Sequence, residues 1–414
     1  MDLVDAVTSA GHVSSPVCLS ESPLFRRKFS SVYDALVHGE LGEDLKTLFS
    51  DSQDADWETI ASYEVHAIDA TPQERMSAET LADRGVLKAQ QKDALRYGHK
   101  HSWLVRLVQP GTSWVAPEDI ERISTRTTDT RVAAQQVQAL AGRNPHPKVI
   151  VADSRYRDQH FLGAFADLEN TDALVRLQNN QKLSQEPVPK PVGSRGAPRK
   201  HGADFQLNAI EREPEALEEF SLGKQNVRVW IWHKLHFKRL AKVVGSVVCV
   251  EFLKEDGTPR YKRPLWLFWT GPEDVAPQDL CRMYLWRFAI EHLFRFLKQH
   301  MGLNNHRSSN LASLQRWLWT VALAYWQLLL MRDTVQPNRP AWHPHKKDGQ
   351  DKPLSPSQVQ RSAQVFLLQA GTPAASTRPA GKGRGRQPGY HPAPRKRYQV
   401  VFKTQKAKEL PKIC

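Results

Sequence analysis

Four polar residues between positions 284 and 298 repeat at helical spacing. Tyr284, Arg287, Glu291 and Lys298 follow the pattern Y-x2-R-x3-E-x6-K. At about 100° per residue, these offsets bring the four side chains within roughly 60° of one another on one helix face. A carboxylate flanked by cations suits a metal ion beside successive phosphates. An ordinary amphipathic helix, with Arg287 and Glu291 paired one turn apart, is the alternative interpretation.

The rest of this segment predicts how the helix packs. The pattern favours one helix over Asp279–Gln299, with its apolar arc buried against a sheet. Arg295 falls beside the polar face, and Phe288 lies on that face as an exception. The residues expected to be buried are Leu285, Ala289, Ile290, Leu293, Phe296 and Leu297.

Two aspartates lie at the ends of short strand-like runs earlier in the chain. Asp69 precedes Pro72, which we expect to end the strand because proline cannot donate to a ladder. Asp153 follows Val149–Ala152, an apolar run typical of a strand buried on both faces. Two carboxylates at neighbouring strand ends need a cation between them, and Mg²⁺ or Mn²⁺ suits oxygen ligands. For either aspartate alone, a helix cap or turn residue is the more ordinary interpretation.

Further elements surround these candidates. A turn at Gln109-Pro110-Gly111 predicts an antiparallel hairpin, and a helix is predicted from Thr128 or Asp129 to Gly142. Three strand-like runs and a long apolar helix follow. The hairpin strands are Ser102–Val108 and Thr112–Val115. The later runs are Val227–His233, Val243–Phe252 and Pro264–Trp269, and the helix is Leu311–Arg332.

Composition favours a polyanionic partner. The chain has 58 Lys and Arg against 44 Asp and Glu, with a net charge of +14 and a pI near 9.6. Nucleic acid is the first candidate, and a basic protein that is merely soluble is the alternative. The four cysteines are scattered, which predicts neither a zinc site nor a disulfide framework and favours a reducing cytoplasm. The longest apolar stretch, Trp317–Met331, is too short to span a bilayer.

Two separated aspartates, a β-rich stretch and then the Y-x2-R-x3-E-x6-K helix resemble a known family. Over roughly Tyr63 to Arg332 the chain is similar to the bacterial cut-and-paste transposases of the DDE class, of insertion-sequence type. The resemblance implies an α/β fold with an RNase H-like mixed sheet flanked by helices. It also implies a β-rich insertion between the second aspartate and the glutamate helix.

The reaction implied by the resemblance is DNA cleavage at element ends, followed by transfer of the freed 3′-hydroxyl into target DNA. Asp69, Asp153 and Glu291 would then be the catalytic residues. They would also be the ligands of two divalent ions, Mg²⁺ or Mn²⁺, in each active site. An RNase H-like nuclease that cuts without joining, and a non-catalytic DNA-binding protein derived from a transposase, remain the alternatives.

The resemblance also implies the partners. These are double-stranded DNA, as terminal inverted repeats and as target, and a second copy of the chain in the synaptic complex. Tyr284, Arg287 and Lys298 would contact the element end. We add two further arginines as expected DNA contacts. Arg295 lies beside the polar face of the helix, and Arg155 belongs to the basic run after Asp153. The expected location is the bacterial cytoplasm, in association with the nucleoid.

The pattern divides the chain into six segments. The helical first segment is either a small DNA-contacting head or a helix packed against the main domain. Its helix is expected to begin near Pro23 and to run to Phe49. The segments are 1–60, helical; 61–160, the first part of the core; 161–275, a β-rich insertion with a basic loop at 182–202; 276–335, the glutamate helix and closing helix; 336–370, helical; and 371–414, a basic tail expected to be disordered.

Overall fold

Asp69 lies in one strand of a mixed sheet, and Asp153 directly follows the neighbouring strand. The computed structural model describes residues 2–41, 45, 57–87, 95–189, 197, 199–336, 353–370, 385 and 387–402. The strands of this part are β1 (Glu64–Glu74), β2 (Gly85–Leu87), β3 (Arg96–Leu107), β4 (Val115–Ile123), β5 (Lys148–Ala152), β6 (Thr171–Arg176), β7 (Lys182–Gln185), β8 (Asp204–Gln206), β9 (Ala216–Leu222), β10 (Gln225–Phe237), β11 (Leu240–Leu253) and β12 (Leu265–Trp269).

The α-helices of the same part lie before, between and after these strands. They are α1 (Asp2–Ser9), α2 (Ser30–His38), α3 (Asp129–Ala141), α4 (Gln159–Leu162), α5 (Pro277–Trp286), α6 (Phe288–Gln299), α7 (Leu311–Met331) and α8 (Pro356–Gln369).

The sheet combines an antiparallel half with a short parallel centre. Its core runs in the order β4-β3-β1-β5-β6, in which β1 pairs antiparallel with β3 and parallel with β5, and β5 pairs parallel with β6. The strands of the predicted insertion continue the sheet from β6 through β12, β11 and β10. This mixed α/β sheet with helices on both faces confirms the RNase H-like fold class.

The side chains of β1 alternate between the two faces of the sheet, and both faces are buried. Val65 and Ala67 belong to the core that α5, α6 and α7 cover, whereas Ile68 belongs to the core beneath α3 and α4. Successive strand residues point to opposite faces, so Asp69 lies on the same face as Ala67. The first aspartate is therefore directed at the layer that contains α6.

Several predicted elements are confirmed and two strand bounds are wrong. Helix α3 has Thr128 as its N-cap and Gly142 as its C-cap, and β3 and β4 form the predicted hairpin. Its second strand begins only at Val115, where the predicted run Thr112–Val115 ends. Strand β1, however, continues past Pro72 to Glu74. The pairing of β1 with β5 stops at Ile68 opposite Ala152, so from there β1 has a free edge on that side. Proline is tolerated at such an edge because no donor is needed there.

The N-terminal helices pack against the main domain. Helix α1 lies within the first twenty residues, where the sequence shows no clear periodicity, and the Thr8 hydroxyl donates to Ala324 O of α7. Helix α2 ends at His38, and much of the stretch up to Phe49 lies outside the described residues. Arg316 of α7 donates to the carbonyl of Leu36 in α2. These contacts favour the packed helix over a separate head.

The tail is ordered where the structure describes it. Tyr398 N–H donates to Glu79 O at 2.8 Å and Val401 N–H to Arg84 O at 2.7 Å, and Val401 forms a parallel bridge with Gly85 of β2. The predicted disorder therefore does not hold for Tyr398 and Val401, because carbonyls of the segment before β2 accept their N–H groups. Positions 371–384, 386 and 403–414 lie outside the described residues. Part of the predicted basic loop, positions 190–196 and 198, lies outside them as well, and its beginning forms strand β7.

Candidate active site

The register of two parallel strands brings the two aspartates together. Ile68 of β1 lies opposite Ala152 of β5, and each aspartate is the next residue along its strand. Asp69 Oδ1 accepts the N–H of Ala70 at 2.7 Å. Asp153 Oδ1 accepts the N–H of Arg155 at 2.8 Å and so caps a short 3₁₀ helix, Ser154–Tyr156. Asp153 is thus a helix cap and a neighbour of Asp69 at once.

Glu291 reaches the pair through an arginine at a break in its helix. The predicted continuous helix over Asp279–Gln299 is divided into α5 and α6, with Arg287 between them. Arg287 Nη2 donates to Glu291 Oε1 at 2.7 Å, and its Nη1 lies 3.7 Å from Asp69 Oδ2. One guanidinium therefore lies between the carboxylates of Asp69 and Glu291.

The pKa of Asp69 shows how strongly these charges interact. Burial and then the neighbouring Asp153 raise it to about 6, and Glu291 adds to the increase, while the Ala70 N–H and Arg287 oppose it. Burial alone would lower the pKa of Arg287, but its coupling to Tyr284, Asp69 and Glu291 raises it above the ordinary value. The three acidic residues form one electrostatic group, partly neutralised by Arg287.

The polar helix face predicted from the sequence is directed into the protein and is not exposed along its length. Tyr284 is 7% exposed and Arg287 9%, whereas Lys298 is half-buried. Burial raises the pKa of Tyr284. Burial also lowers the pKa of Lys298, although Asp69 opposes this decrease. The prediction that Leu285 is buried is wrong: Leu285 is 38% exposed, because α5 buries its neighbours Tyr284 and Trp286 instead.

The two additional arginines have different surroundings. Arg155 lies beside Asp153 in sequence, and its side chain forms an ion pair with Asp129. Arg295 is exposed and lines another cleft, which also contains Ser113 and Tyr325. The structure therefore brings Arg155 to the edge of the carboxylate group, whereas Arg295 faces away from it.

Two residues near the aspartates were not predicted as part of the site. Asp129 is the first residue of α3 and forms ion pairs with Lys100 and Arg155. Tyr156 is fully buried, and its hydroxyl has no hydrogen-bond partner among the described residues. Burial, and then Asp69, Asp129 and Asp153, raise the pKa of Tyr156 well above its usual value. The signals for these two residues in the sequence were weak. Asp129 stands at the predicted start of a helix, and Tyr156 comes shortly after Asp153.

The donor set suits a divalent cation, although the side chains are not arranged as a complete set of ligands. The described part of the chain contains no group of three or more His, Cys, Asp or Glu side chains placed to hold one ion. The reason is that Arg287 lies between Asp69 and Glu291. Asp69 and Asp153 fit a divalent ion as two oxygen donors. Burial and the charge of Asp153 make the ionised form of Asp69 unfavourable, and a cation would stabilise that form. Glu291 Oε1 accepts from Arg287, so Glu291 would join them either by turning away from Arg287 or through its other oxygen, Oε2.

Comparison with known proteins identifies the family of this chain. The family described as the transposase DDE domain matches residues 63–327, well over half of the chain, so the protein belongs to the transposase DDE domain family. Its activity is that of a transposase, an enzyme that acts on DNA. The curated proteins contain no significant match. Among the helices in the described ranges, none is both long and apolar enough to cross a membrane.

Proposed function

We propose that this transposase cleaves DNA at the ends of a mobile element and joins the freed 3′-hydroxyl to target DNA, with Asp69, Asp153 and Glu291 as its catalytic carboxylates. One observation carries the proposal. Asp69 and Asp153 follow paired residues of two parallel strands, and Arg287 connects Asp69 to Glu291. Carboxylates that are distant in sequence but share one site indicate metal-dependent chemistry more strongly than each does alone.

Asp69, Asp153 and Glu291 would hold two divalent ions, Mg²⁺ or Mn²⁺. Such ions supply activation of the attacking oxygen and stabilisation of the leaving oxygen. Among the protein's own groups, Asp153 is fixed in orientation by the Arg155 N–H. The buried hydroxyl of Tyr156 lies near the aspartates and stays protonated at neutral pH, because its pKa is raised. It therefore adds no further negative charge.

Arg287 has two roles in this proposal. Without cations, its guanidinium neutralises part of the charge on Asp69 and Glu291. When Glu291 turns to a cation, Arg287 gains free donors for a phosphate of the bound strand, for which a guanidinium is well suited. Tyr284, Lys298 and Arg155 would add contacts to the same DNA. We propose double-stranded DNA and a second copy of the chain as partners, and association with bacterial DNA in the cell.

The test compares cleavage by three nearly isosteric variants, Asp69→Asn, Asp153→Asn and Glu291→Gln. Metal-ion stabilisation of developing charge is worth several kcal/mol, so each variant should lose roughly 10²-fold or more in cleavage rate. Each should keep its fold and its affinity for DNA. Glu273→Gln, which changes an exposed carboxylate before α5, is the matched control and should cleave normally. Full cleavage by any of the three variants removes that residue from the catalytic set.

Joining is tested separately with pre-cut ends. A transposase transfers such ends into a second duplex, and Asp69→Asn should abolish the transfer. Wild-type protein that cuts ends but never joins pre-cut ends would instead be a nuclease that does not transfer strands.

A further inference from the structure

Arg75 is a buried arginine without a partner for most of its guanidinium. It follows the last residue of β1, and its N–H donates to Tyr97 O at 2.7 Å, which continues the pairing with β3. The residue is only 6% exposed. Its Nε and Nη2 atoms are buried and have no hydrogen-bond partner among the described residues. Buried donors of a charged group are costly to leave unpaired, so they indicate a missing acceptor.

Among the described residues, no carboxylate forms an ion pair with this arginine. Burial and then Arg307 lower the pKa of Arg75 to about 10. The adjacent Glu74 pairs with Arg96 at 3.0 Å, and consecutive strand residues point to opposite faces. Arg84 is close as well, but its Nη1 donates to the carbonyls of Arg75 and Met76. The result is a local excess of positive charge at a fixed backbone position.

The missing acceptor is expected to be an anion that can approach from solvent. Arg307 is exposed, so the two guanidinium groups lie between the interior and the surface. The segment that carries Arg307 is held over β1, because Gln73 Nε2 donates to Leu303 O at 3.2 Å. Planar guanidinium groups bind phosphate oxygens through pairs of N–H donors. A buried arginine with unpaired donors, close enough to an exposed arginine for its pKa to be lowered, therefore suits a phosphate.

The position of Arg75 shows how far it lies from the carboxylates. Residues 69, 71, 73 and 75 alternate along β1, so Arg75 and Asp69 share one face. Six residues at about 3.3 Å each separate them by about 20 Å. Between them Thr71 is 4% and Gln73 2% exposed, so protein covers this stretch and the acceptor of Arg75 lies well away from the cleavage point.

We propose that Arg75 and Arg307 together bind one phosphodiester of the DNA backbone, about 20 Å along β1 from Asp69. This site rests on the proposed function, since DNA held at the carboxylates is what brings a backbone phosphate to the two arginines. It is separate from the contacts expected of Tyr284, Arg287 and Lys298. Because a phosphate carries no sequence information, the site would position DNA rather than select its sequence.

The experiment measures how DNA affinity depends on salt. The full chain binds a fluorescent 40-base-pair duplex of arbitrary sequence in EDTA, where cleavage does not interfere. Each neutralised phosphate contributes about 0.9 to the slope of log affinity against log salt. Arg307→Ala and Arg75→Gln should each lower the slope by about one. The double variant should also lose about one rather than two, because both arginines bind the same phosphate.

Arg361→Ala is the matched control, since Arg361 is exposed on α8 and far from β1 in the fold. It should leave the slope within a few tenths of the wild-type value. If Arg75→Gln does not fold, Arg307→Ala still decides the question, because an exposed side chain is removed without disturbing the core. An unchanged slope for Arg307→Ala overturns the proposal.

A free anion is distinguished from DNA by a second measurement. Inorganic phosphate is titrated against the wild type and Arg307→Ala while thermal unfolding is followed. Stabilisation of the wild type alone, with identical DNA slopes for both proteins, would show a site for free phosphate and overturn the DNA assignment. The slope is measured without metal or cleavage. Its failure is therefore distinguishable from failure of the catalytic proposal, which cleavage by Asp69→Asn, Asp153→Asn or Glu291→Gln protein would indicate.

Discussion

Replacing Asp69 by Asn should stabilise the metal-free protein at neutral pH, although it removes a candidate catalytic group. Burial and Asp153 raise the pKa of Asp69 from 3.8 to about 6. A shift of one pKa unit corresponds to about 1.4 kcal/mol, so the difference of about two units corresponds to at most about 3 kcal/mol. The Asp69 side chain is 24% exposed, and solvent screening reduces the expected effect to about 1–3 kcal/mol.

The sign of this effect follows from proton binding. Below pH 3.8 Asp69 is protonated in both the folded and the unfolded chain. Between that pH and about 6, the folded state keeps a proton that the unfolded state has lost, so the free energy of unfolding falls as pH rises. Above about pH 6 Asp69 is charged in both states, and the full cost of its buried charge lowers the free energy of unfolding. Asparagine does not ionise, so the variant lacks this penalty.

The assay is urea unfolding in EDTA at about pH 4 and about pH 8. The stability of Asp69→Asn relative to the wild type should rise by about 1–3 kcal/mol between these two pH values. Asp333→Asn is the control, because Asp333 is 78% exposed, and its difference from the wild type should not depend on pH. A relative stability of Asp69→Asn that stays constant or falls with pH would refute the electrostatic account of the site.

Two further predictions concern parts of the fold away from the carboxylates. Glu118→Gln should cost about 3–5 kcal/mol in urea unfolding, because Glu118 Oε2 lies 3.0 Å from Nδ1 of the fully buried His66. Burial alone would lower the pKa of His66, but Glu118 raises it, so this stabilisation is greatest at low pH and is lost as pH rises through the raised value. Val401→Pro removes the N–H that donates to Arg84 O. Losing about 1 kcal/mol of tail docking should speed hydrogen exchange at Tyr398 N–H roughly fivefold.

Exposed positions supply the controls for both predictions. Glu58→Gln should leave stability within about 0.5 kcal/mol of the wild type, and Gln399→Ala should leave exchange at Tyr398 unchanged. A Glu118→Gln protein as stable as the wild type would show that Glu118 does not stabilise a charged His66. Unchanged exchange in Val401→Pro would show that the tail does not depend on its bond to Arg84.

Local patterns predicted many elements because their causes lie within a few residues. Thr128 and Gly142 mark the ends of α3, since caps act on the nearest turn. The apolar run before Asp153 predicted a buried strand correctly, because only a central strand is buried on both faces. Helix α1 was missed. It is stabilised mainly by packing against α7, a contact between residues more than 300 positions apart.

The sequence by itself determined which chemical groups are available and which local elements carry them: two aspartates beside strands, a glutamate on a helix and a strongly basic chain. Tertiary structure decided their arrangement. The register of β1 against β5 makes Asp69 and Asp153 neighbours, the break at Arg287 brings its guanidinium between Asp69 and Glu291, and the cover over β1 buries Arg75. These outcomes depend on contacts between distant segments, whose geometry follows from packing both faces of the sheet at once and from no short stretch of sequence.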